Sequence, residues 1–121
     1  MKNYTMLELA FIGDAVHTLF VRERIVKKQD LKMNDVHKLA SRFCSAKKQS
    51  SVLDRLLPSL NNEEAEIVRM ARNSKTKHMA KNADPADYHK ATSFEALIGW
   101  LFTNNKKERL NEILEISIME E

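Results

Sequence analysis

Two carboxylic acids stand inside otherwise apolar stretches of the sequence, and each has a glycine close by. Asp14 directly follows Gly13 in "LAFIGDAV", and Glu95 lies four residues before Gly99 in "TSFEALIGWLF". These are the only 2 glycines among 121 residues, and a glycine inside a helix costs about 1 kcal/mol relative to alanine. We therefore expect both segments to be buried helices that cross at close range and bring Asp14 and Glu95 together.

A pair of facing carboxylates has a defined chemistry. In a site of low dielectric the two groups repel each other, so they take up a proton or bind a cation. Carboxylate oxygens suit Mg²⁺, which typically uses one or two of them and keeps several waters. A metal held in this way can activate water and stabilise charge on a phosphate. The alternative is that each acid is only a cap or an ion-pair member. For Glu95, a place in the first helical turn would favour the helix dipole.

The spacing of apolar residues predicts an all-α domain that positions these acids. A first helix over 5–26 is apolar around most of its circumference, so we expect it to be central and buried. Residues 73–91 form the one long polar loop, with a short helical turn at Asp84-Pro85. Five further helices are indicated by caps and prolines: one capped by Asn34, one over 46–57 ended by Pro58, one capped by Asn61 or Asn62, one starting at Thr92 or Ser93, and one over 106–118.

Composition agrees with a single domain over 1–121. Apolar residues make up 43% of the chain and there are only 2 prolines, which favours one helical core over a many-turned β protein. The net charge of +3 permits a polyanionic partner without requiring one. The single cysteine, Cys44, excludes an internal disulfide framework and a cysteine-based zinc site. We expect a cytoplasmic protein, because neither a secretory signal nor a membrane-spanning apolar run is visible.

The two acidic segments resemble the ribonuclease III catalytic domain. "LAFIGDAV" is similar to a first family segment with a Phe-Leu-Gly-Asp-Ala core, and "TSFEALIGWLF" is similar to a second with Glu-Ala-x-Ile-Gly. Together with the run "ARNSKTK", the chain most resembles the Mini-III branch. The resemblance covers nearly the whole chain. It implies an all-α catalytic domain with no double-stranded RNA-binding domain.

The same resemblance implies a function. It implies a homodimer that hydrolyses double-stranded RNA with Mg²⁺, each active site cutting one strand and leaving 5′-phosphate and 3′-hydroxyl ends. It also implies maturation of the large-subunit ribosomal RNA precursor, with ribosomal proteins as candidate further partners. Asp14 and Glu95 correspond to catalytic and metal-binding residues of the family. Two further acids of the larger enzymes are replaced here by Ala10 and Thr92, so we expect greater reliance on water and RNA phosphate for metal binding.

The strongest basic cluster lies at 69–81, in "RMARNSKTKHMAK", which contains no acid. Its cations and hydrogen-bonding side chains suit the phosphates and 2′-hydroxyls of an RNA duplex. Without an interleaved Phe, Tyr or Trp, stacking on single strands is disfavoured. An ordinary solvated loop is the alternative. The predicted RNA-binding residues are Arg72, Asn73, Lys75, Lys77, His78 and Lys81.

Two other interpretations of the chain stay open. A catalytically inactive member of the fold would bind structured RNA or ribosomal particles, and the replacements at Ala10 and Thr92 favour it. A helical interaction module would use the two acids only for structure. A cleavage assay with and without Mg²⁺ distinguishes the inactive member from a nuclease. The interaction module predicts instead that replacing both acids by apolar isosteres leaves or raises stability, whereas a metal site predicts that Mg²⁺ raises the melting temperature of the wild type only. His17, about one turn after Asp14, fits a satisfied core or dimer-face histidine better than a partner of the site.

Overall fold

The computed structural model describes residues 3–28, 30–74 and 84–119, and within these ranges no residue lies in a β-strand. The predicted all-α fold is confirmed. The helices are α1 (Met6–Lys28), α2 (Met33–Phe43), α3 (Ala46–Leu56), α4 (Asn62–Arg72), α5 (Pro85–Thr103) and α6 (Lys107–Ser117), with a 3₁₀ turn at Leu57–Ser59 between α3 and α4. None of the helices in the described part of the chain is long and apolar enough to span a membrane.

Helices α1 and α5 cross at the centre of the fold, and the other helices pack around them. Helices α3, α4 and α6 pack against α5, while α2 packs against α1. The main core cluster is built from α3 to α6, and its fully buried members include Leu56, Phe94, Leu97 and Ile113. Burying such side chains contributes about 1.5–3 kcal/mol each. The crossing of α1 and α5 is therefore supported by this core on the α5 side.

Side-chain caps explain where several helices begin. The Asn61 side chain accepts the backbone N–H of Glu64, and the Glu64 carboxylate returns to the backbone N–H of Asn61. This capping box starts α4, as the sequence predicts. The Asp84 side chain caps the first turn of α5 ahead of Pro85, a residue suited to that position because its missing N–H needs no partner there. In contrast, α2 begins at Met33 without a side-chain cap, so the predicted cap Asn34 is wrong.

The predicted start of α5 at Thr92 or Ser93 is also wrong. Helix α5 runs unbroken from Pro85 to Thr103, so residues 85–91 of the predicted loop at 73–91 are helical. The extension is stabilised by burial of Ala91, which is 5% exposed. Glu95 consequently lies about three turns into the helix instead of in its first turn. The influence of the helix dipole fades within the first turn. A favourable interaction with the dipole therefore does not explain why an acid stands at position 95.

Helix α1 is central but buried on one side only. Every fourth residue from Leu9 to Ile25 is buried, whereas Phe11 is 81% exposed and Leu19 is 68% exposed on the other side. Asp14 also lies on the exposed side, so the expectation that it is buried in the core is wrong. Its contact with solvent removes most of the desolvation cost that an acid in a core helix would carry.

Candidate active site

The α1–α5 crossing brings two backbones into direct contact at the two glycines. A Cβ atom built on Gly13 would lie 1.7 Å from the carbonyl oxygen of Glu95. A Cβ atom built on Gly99 would lie 1.9 Å from the carbonyl oxygen of Leu9. No side chain fits at either position, which is one of the situations that require glycine. The predicted close crossing is confirmed, and it places Glu95 directly against the first helix.

The crossing also brings the two acids together. The side chains of Asp14 and Glu95 share a hydrogen bond, which two carboxyl groups can form only when one of them carries a proton. Glu95 is half-buried, and Asp14 is exposed. Burial, followed by the hydrogen bond and negative charge of Asp14, raises the pKa of Glu95 to about 8. At neutral pH the pair therefore holds a proton that a bound cation would displace.

The chemistry of this pair fits a hard divalent cation. Both acids offer only oxygen atoms, the ligands that Mg²⁺ prefers, and Mg²⁺ commonly keeps several waters beside one or two carboxylates. In the described ranges, no group of three or more His, Cys, Asp or Glu side chains is placed to hold a metal ion. Ala10 is buried, and the Thr92 hydroxyl donates to the backbone carbonyl of Tyr88 at 3.1 Å. Neither position supplies a third carboxylate.

Gln49 is a site residue that the sequence analysis missed. It lies in the first turn of α3, is 3% exposed, and its side-chain amide hydrogen-bonds the Glu95 carboxyl group. Its Nε2 atom also lies 3.0 Å from Nδ1 of His17. Spacing offers a signal for its burial, because Val52 and Leu53 follow it by three and four residues on the same helical face. A polar residue on an apolar stripe indicates a buried hydrogen-bond partner.

His17 is a satisfied core histidine, as expected. It is 1% exposed, its Nε2 atom lies 3.2 Å from the Ser117 hydroxyl, and its ring packs edge-on against Phe94. Burial lowers the pKa of His17 to about 4 and outweighs the opposing charge of Asp14. The imidazole is therefore neutral at physiological pH. His17 also contacts Gln49, so it is connected to Glu95 through one intervening side chain.

The predicted RNA-binding residues fall into two groups. Arg72 ends α4 and Asn73 is its C-cap, and both are exposed. Ala71, immediately before them, is buried in a cluster with Ala10 and Ala96, so the end of α4 is anchored beside the α1–α5 crossing. The remaining predicted residues lie outside the described residues: Lys75, Lys77, His78 and Lys81.

A comparison with protein families assigns the chain to a class. The family model of the ribonuclease III domain matches residues 7–106, a range that includes both acids and both glycines of the crossing. The chain therefore belongs to the ribonuclease III family and is an endoribonuclease.

Relatives within the family are more specific. The Mini-ribonuclease 3 of Brevibacillus brevis is 48% identical over 109 residues, which cover 90% of this chain and 81% of the relative. That of Symbiobacterium thermophilum is 42% identical over 109 residues, covering 90% and 84%. A Fusobacterium nucleatum protein of known crystal structure is 30% identical, with a TM-score of 0.87 over 97% of this chain and 93% of that one. The resemblance to the Mini-III branch is thus confirmed.

A divalent cation held by the acid pair would compete with the proton there, so metal binding at this site is predicted to depend on pH. Since the pKa of Glu95 is about 8, a cation must displace a proton below that pH. The Mg²⁺ concentration that half-saturates the protein should therefore rise as pH falls from 8 to 6, by up to about tenfold per unit, and should level off above 8. Thermal unfolding in Mg²⁺ titrations measures this. Glu95→Gln is the control, and equal affinity at pH 6 and 8 would contradict the assignment.

Proposed function

We propose that the chain is a Mg²⁺-dependent endoribonuclease that hydrolyses double-stranded RNA. Asp14 and Glu95 form its active site in this proposal. The observation that carries the proposal is the hydrogen-bonded acid pair at a crossing where only glycine fits. A carboxyl pair that stores a proton at neutral pH and reaches solvent through one member has the properties of an oxygen-ligand cation site. Membership of the ribonuclease III family, whose enzymes generally depend on a divalent metal, supports the same conclusion.

The residues of the pair have different tasks in this mechanism. Asp14 is exposed, so water and an RNA phosphate can approach the site from its side. Glu95 is half-buried and bonded to Gln49, so its carboxylate is the fixed member. When bound, Mg²⁺ would activate water for attack on a backbone phosphorus and offset the charge that develops there. The products would carry 5′-phosphate and 3′-hydroxyl ends.

The proposed assembly is a homodimer formed through the exposed side of α1. Phe11, Ala15 and Leu19 follow one another at four-residue spacing and are all exposed. They line a groove that also includes Asp14 and Phe102, the latter 52% exposed. Large exposed apolar side chains grouped in this way are typical of an interaction surface. A second copy on this patch would place two acid pairs close to one duplex.

The proposed RNA contacts extend from the basic end of α4. Arg72 and Asn73 emerge beside the α1–α5 crossing, where a cation and an amide can bind phosphates and 2′-hydroxyls. Lys75, Lys77, His78 and Lys81 would continue this surface. We further propose the large-subunit ribosomal RNA precursor as substrate, with ribosomal proteins as candidate partners. The support for both is the resemblance of the two motifs to the Mini-III branch.

A cleavage assay tests the proposed function. A perfect RNA duplex, its single strands and a DNA duplex of the same sequence are incubated with the protein in Mg²⁺ or in EDTA. We expect cleavage of the RNA duplex alone, only with Mg²⁺, and 5′-phosphate ends on the products. Equal cleavage in EDTA would contradict the metal assignment. Binding of the duplex without cleavage in Mg²⁺ would favour the catalytically inactive, RNA-binding interpretation.

The dimer surface makes a separate prediction. Phe11→Glu places a charge in the middle of the apolar patch, so the protein should sediment as a monomer at micromolar concentration while the wild type sediments as a dimer. Cleavage of duplex RNA should fall with the dimer. Leu57→Glu is the matched control, because Leu57 is also exposed, at 46%, but lies on the 3₁₀ turn that follows α3 and not on α1. A monomeric wild type would contradict the proposed assembly.

A further inference from the structure

A continuous chain of buried hydrogen bonds runs from Glu95 into the core. The side-chain amide of Gln49 hydrogen-bonds the Glu95 carboxyl group. The Nε2 atom of Gln49 lies 3.0 Å from Nδ1 of His17. On the other side of the imidazole ring, Nε2 of His17 lies 3.2 Å from the Ser117 hydroxyl. The Ser117 hydroxyl lies 2.6 Å from the backbone carbonyl of Leu114. Gln49, His17 and Ser117 are each at most 3% exposed. Three helices thus contribute side chains that support one carboxyl group on a fourth.

The direction of each hydrogen bond in this series, from Glu95 to Ser117, follows from the bond that Ser117 makes. Ser117 has one hydroxyl proton, which it donates to the Leu114 carbonyl, so its oxygen must accept from His17 Nε2–H. The neutral imidazole then has no proton on Nδ1, which accepts from the Gln49 amide. One amide proton remains on Gln49, and it is donated to Glu95. Every buried side-chain nitrogen and oxygen in the described residues has a partner.

We propose that Gln49 is a positioning residue for Glu95, held in its donating orientation by the Nε2–H tautomer of His17 that Ser117 selects. The inference rests on the proposed function, because the task assigned to Gln49 is to orient a metal-binding carboxylate. An amide that could rotate would present either its oxygen or its nitrogen to Glu95. His17 Nδ1 accepts only from the nitrogen, so the amide oxygen is kept away from the carboxylate.

Gln49→Met keeps the size and burial of the side chain but removes its donors. Loss of an outer partner typically weakens metal affinity by about 10- to 100-fold. We expect at least tenfold weaker Mn²⁺ binding to the RNA-free protein, measured by calorimetry, and a matching rise in the Mg²⁺ concentration for half-maximal cleavage. The cleavage rate at saturating Mg²⁺ should change by a smaller factor than the metal affinity does. Ser93→Ala is the control, since Ser93 is 0% exposed on α5 and its hydroxyl donates to the His89 carbonyl of the same helix.

A second measurement does not depend on how the variant folds. Nitrogen NMR of the wild type with labelled histidine should show His17 protonated at Nε2 and bare at Nδ1. A proton on Nδ1, or unchanged Mn²⁺ affinity in a folded Gln49→Met protein, would overturn the inference and leave the proposed function intact. A wild type that neither binds Mn²⁺ nor cleaves duplex RNA would overturn both.

Discussion

Replacing Asp14 by asparagine is expected to lower the rate of duplex RNA cleavage by at least about a hundredfold, the loss typical of removing a group that stabilises transition-state charge. The change removes one of the two carboxylates of the pair and leaves the size of the side chain at position 14 almost unchanged. Because Asp14 is exposed and its negative charge helps to raise the pKa of Glu95, its loss should not lower the free energy of unfolding at neutral pH. Single-turnover cleavage in Mg²⁺, with circular dichroism and thermal unfolding of the same samples, measures both quantities.

One companion variant and one further measurement make the Asp14 result specific. Asp54→Asn is the same change at an exposed aspartate of α3 that pairs with Lys90 at 3.0 Å, and it should leave cleavage unchanged. In Asp14→Asn the neighbouring negative charge is gone, so the pKa of Glu95 should fall below its wild-type value of about 8. A folded Asp14→Asn protein that cleaves at the wild-type rate would remove Asp14 from the active site.

Gly13→Ala is expected to have the largest effect on stability. The added methyl would meet the backbone carbonyl of Glu95 at 1.7 Å, and a backbone atom in a packed helix cannot rotate away. Overpacking a core typically costs about 1–3 kcal/mol, and this contact should exceed that range because the two central helices must separate. Equilibrium unfolding in urea measures the loss. A stable variant with wild-type cleavage would contradict the direct backbone contact between α1 and α5 at Gly13.

The other glycine of the crossing gives the matched test for Gly13. Gly99→Ala meets the carbonyl oxygen of Leu9 at 1.9 Å, so its cost should be similar. The double variant should lose less stability than the sum of the two, because both changes open the same contact. Ala65→Ser also adds one heavy atom to a helix, but at an exposed position on α4, and its effect should stay within about 0.5 kcal/mol.

The meeting of the two acids could be predicted from the sequence because its signals are local. An acid and a glycine in one apolar helix, repeated in a second helix, identify the crossing without knowledge of the other elements. The exposure of Asp14 could not be predicted in the same way. Helix α1 is apolar on nearly all sides, so periodicity does not tell which side the core covers and which side is left for a partner. Only the packing of α2, α4 and α5 decides that.

Gln49 and the start of α5 show where local signals are insufficient. The sequence marks Asp84 and Pro85 as a helix start, but the polar residues that follow interrupt the apolar pattern. Burial of Ala91 and packing of α5 against α3 and α4 stabilise the helix across these polar residues. Tertiary packing thus outweighs the local pattern here. Spacing indicates that Gln49 is buried but does not identify its hydrogen-bond partners, since His17 is 32 positions away in sequence.

The claim that Asp14 and Glu95 together hold a divalent cation is tested most directly by anomalous diffraction from crystals soaked in Mn²⁺. Mn²⁺ shares the oxygen ligands and octahedral geometry of Mg²⁺, and soaking above pH 8 removes competition from the proton on Glu95. We predict one strong anomalous peak between the two carboxylates, absent from crystals of Glu95→Gln. A wild-type enzyme that cleaves RNA with Mn²⁺ but shows its peak elsewhere, or no peak between these residues, would contradict the assignment.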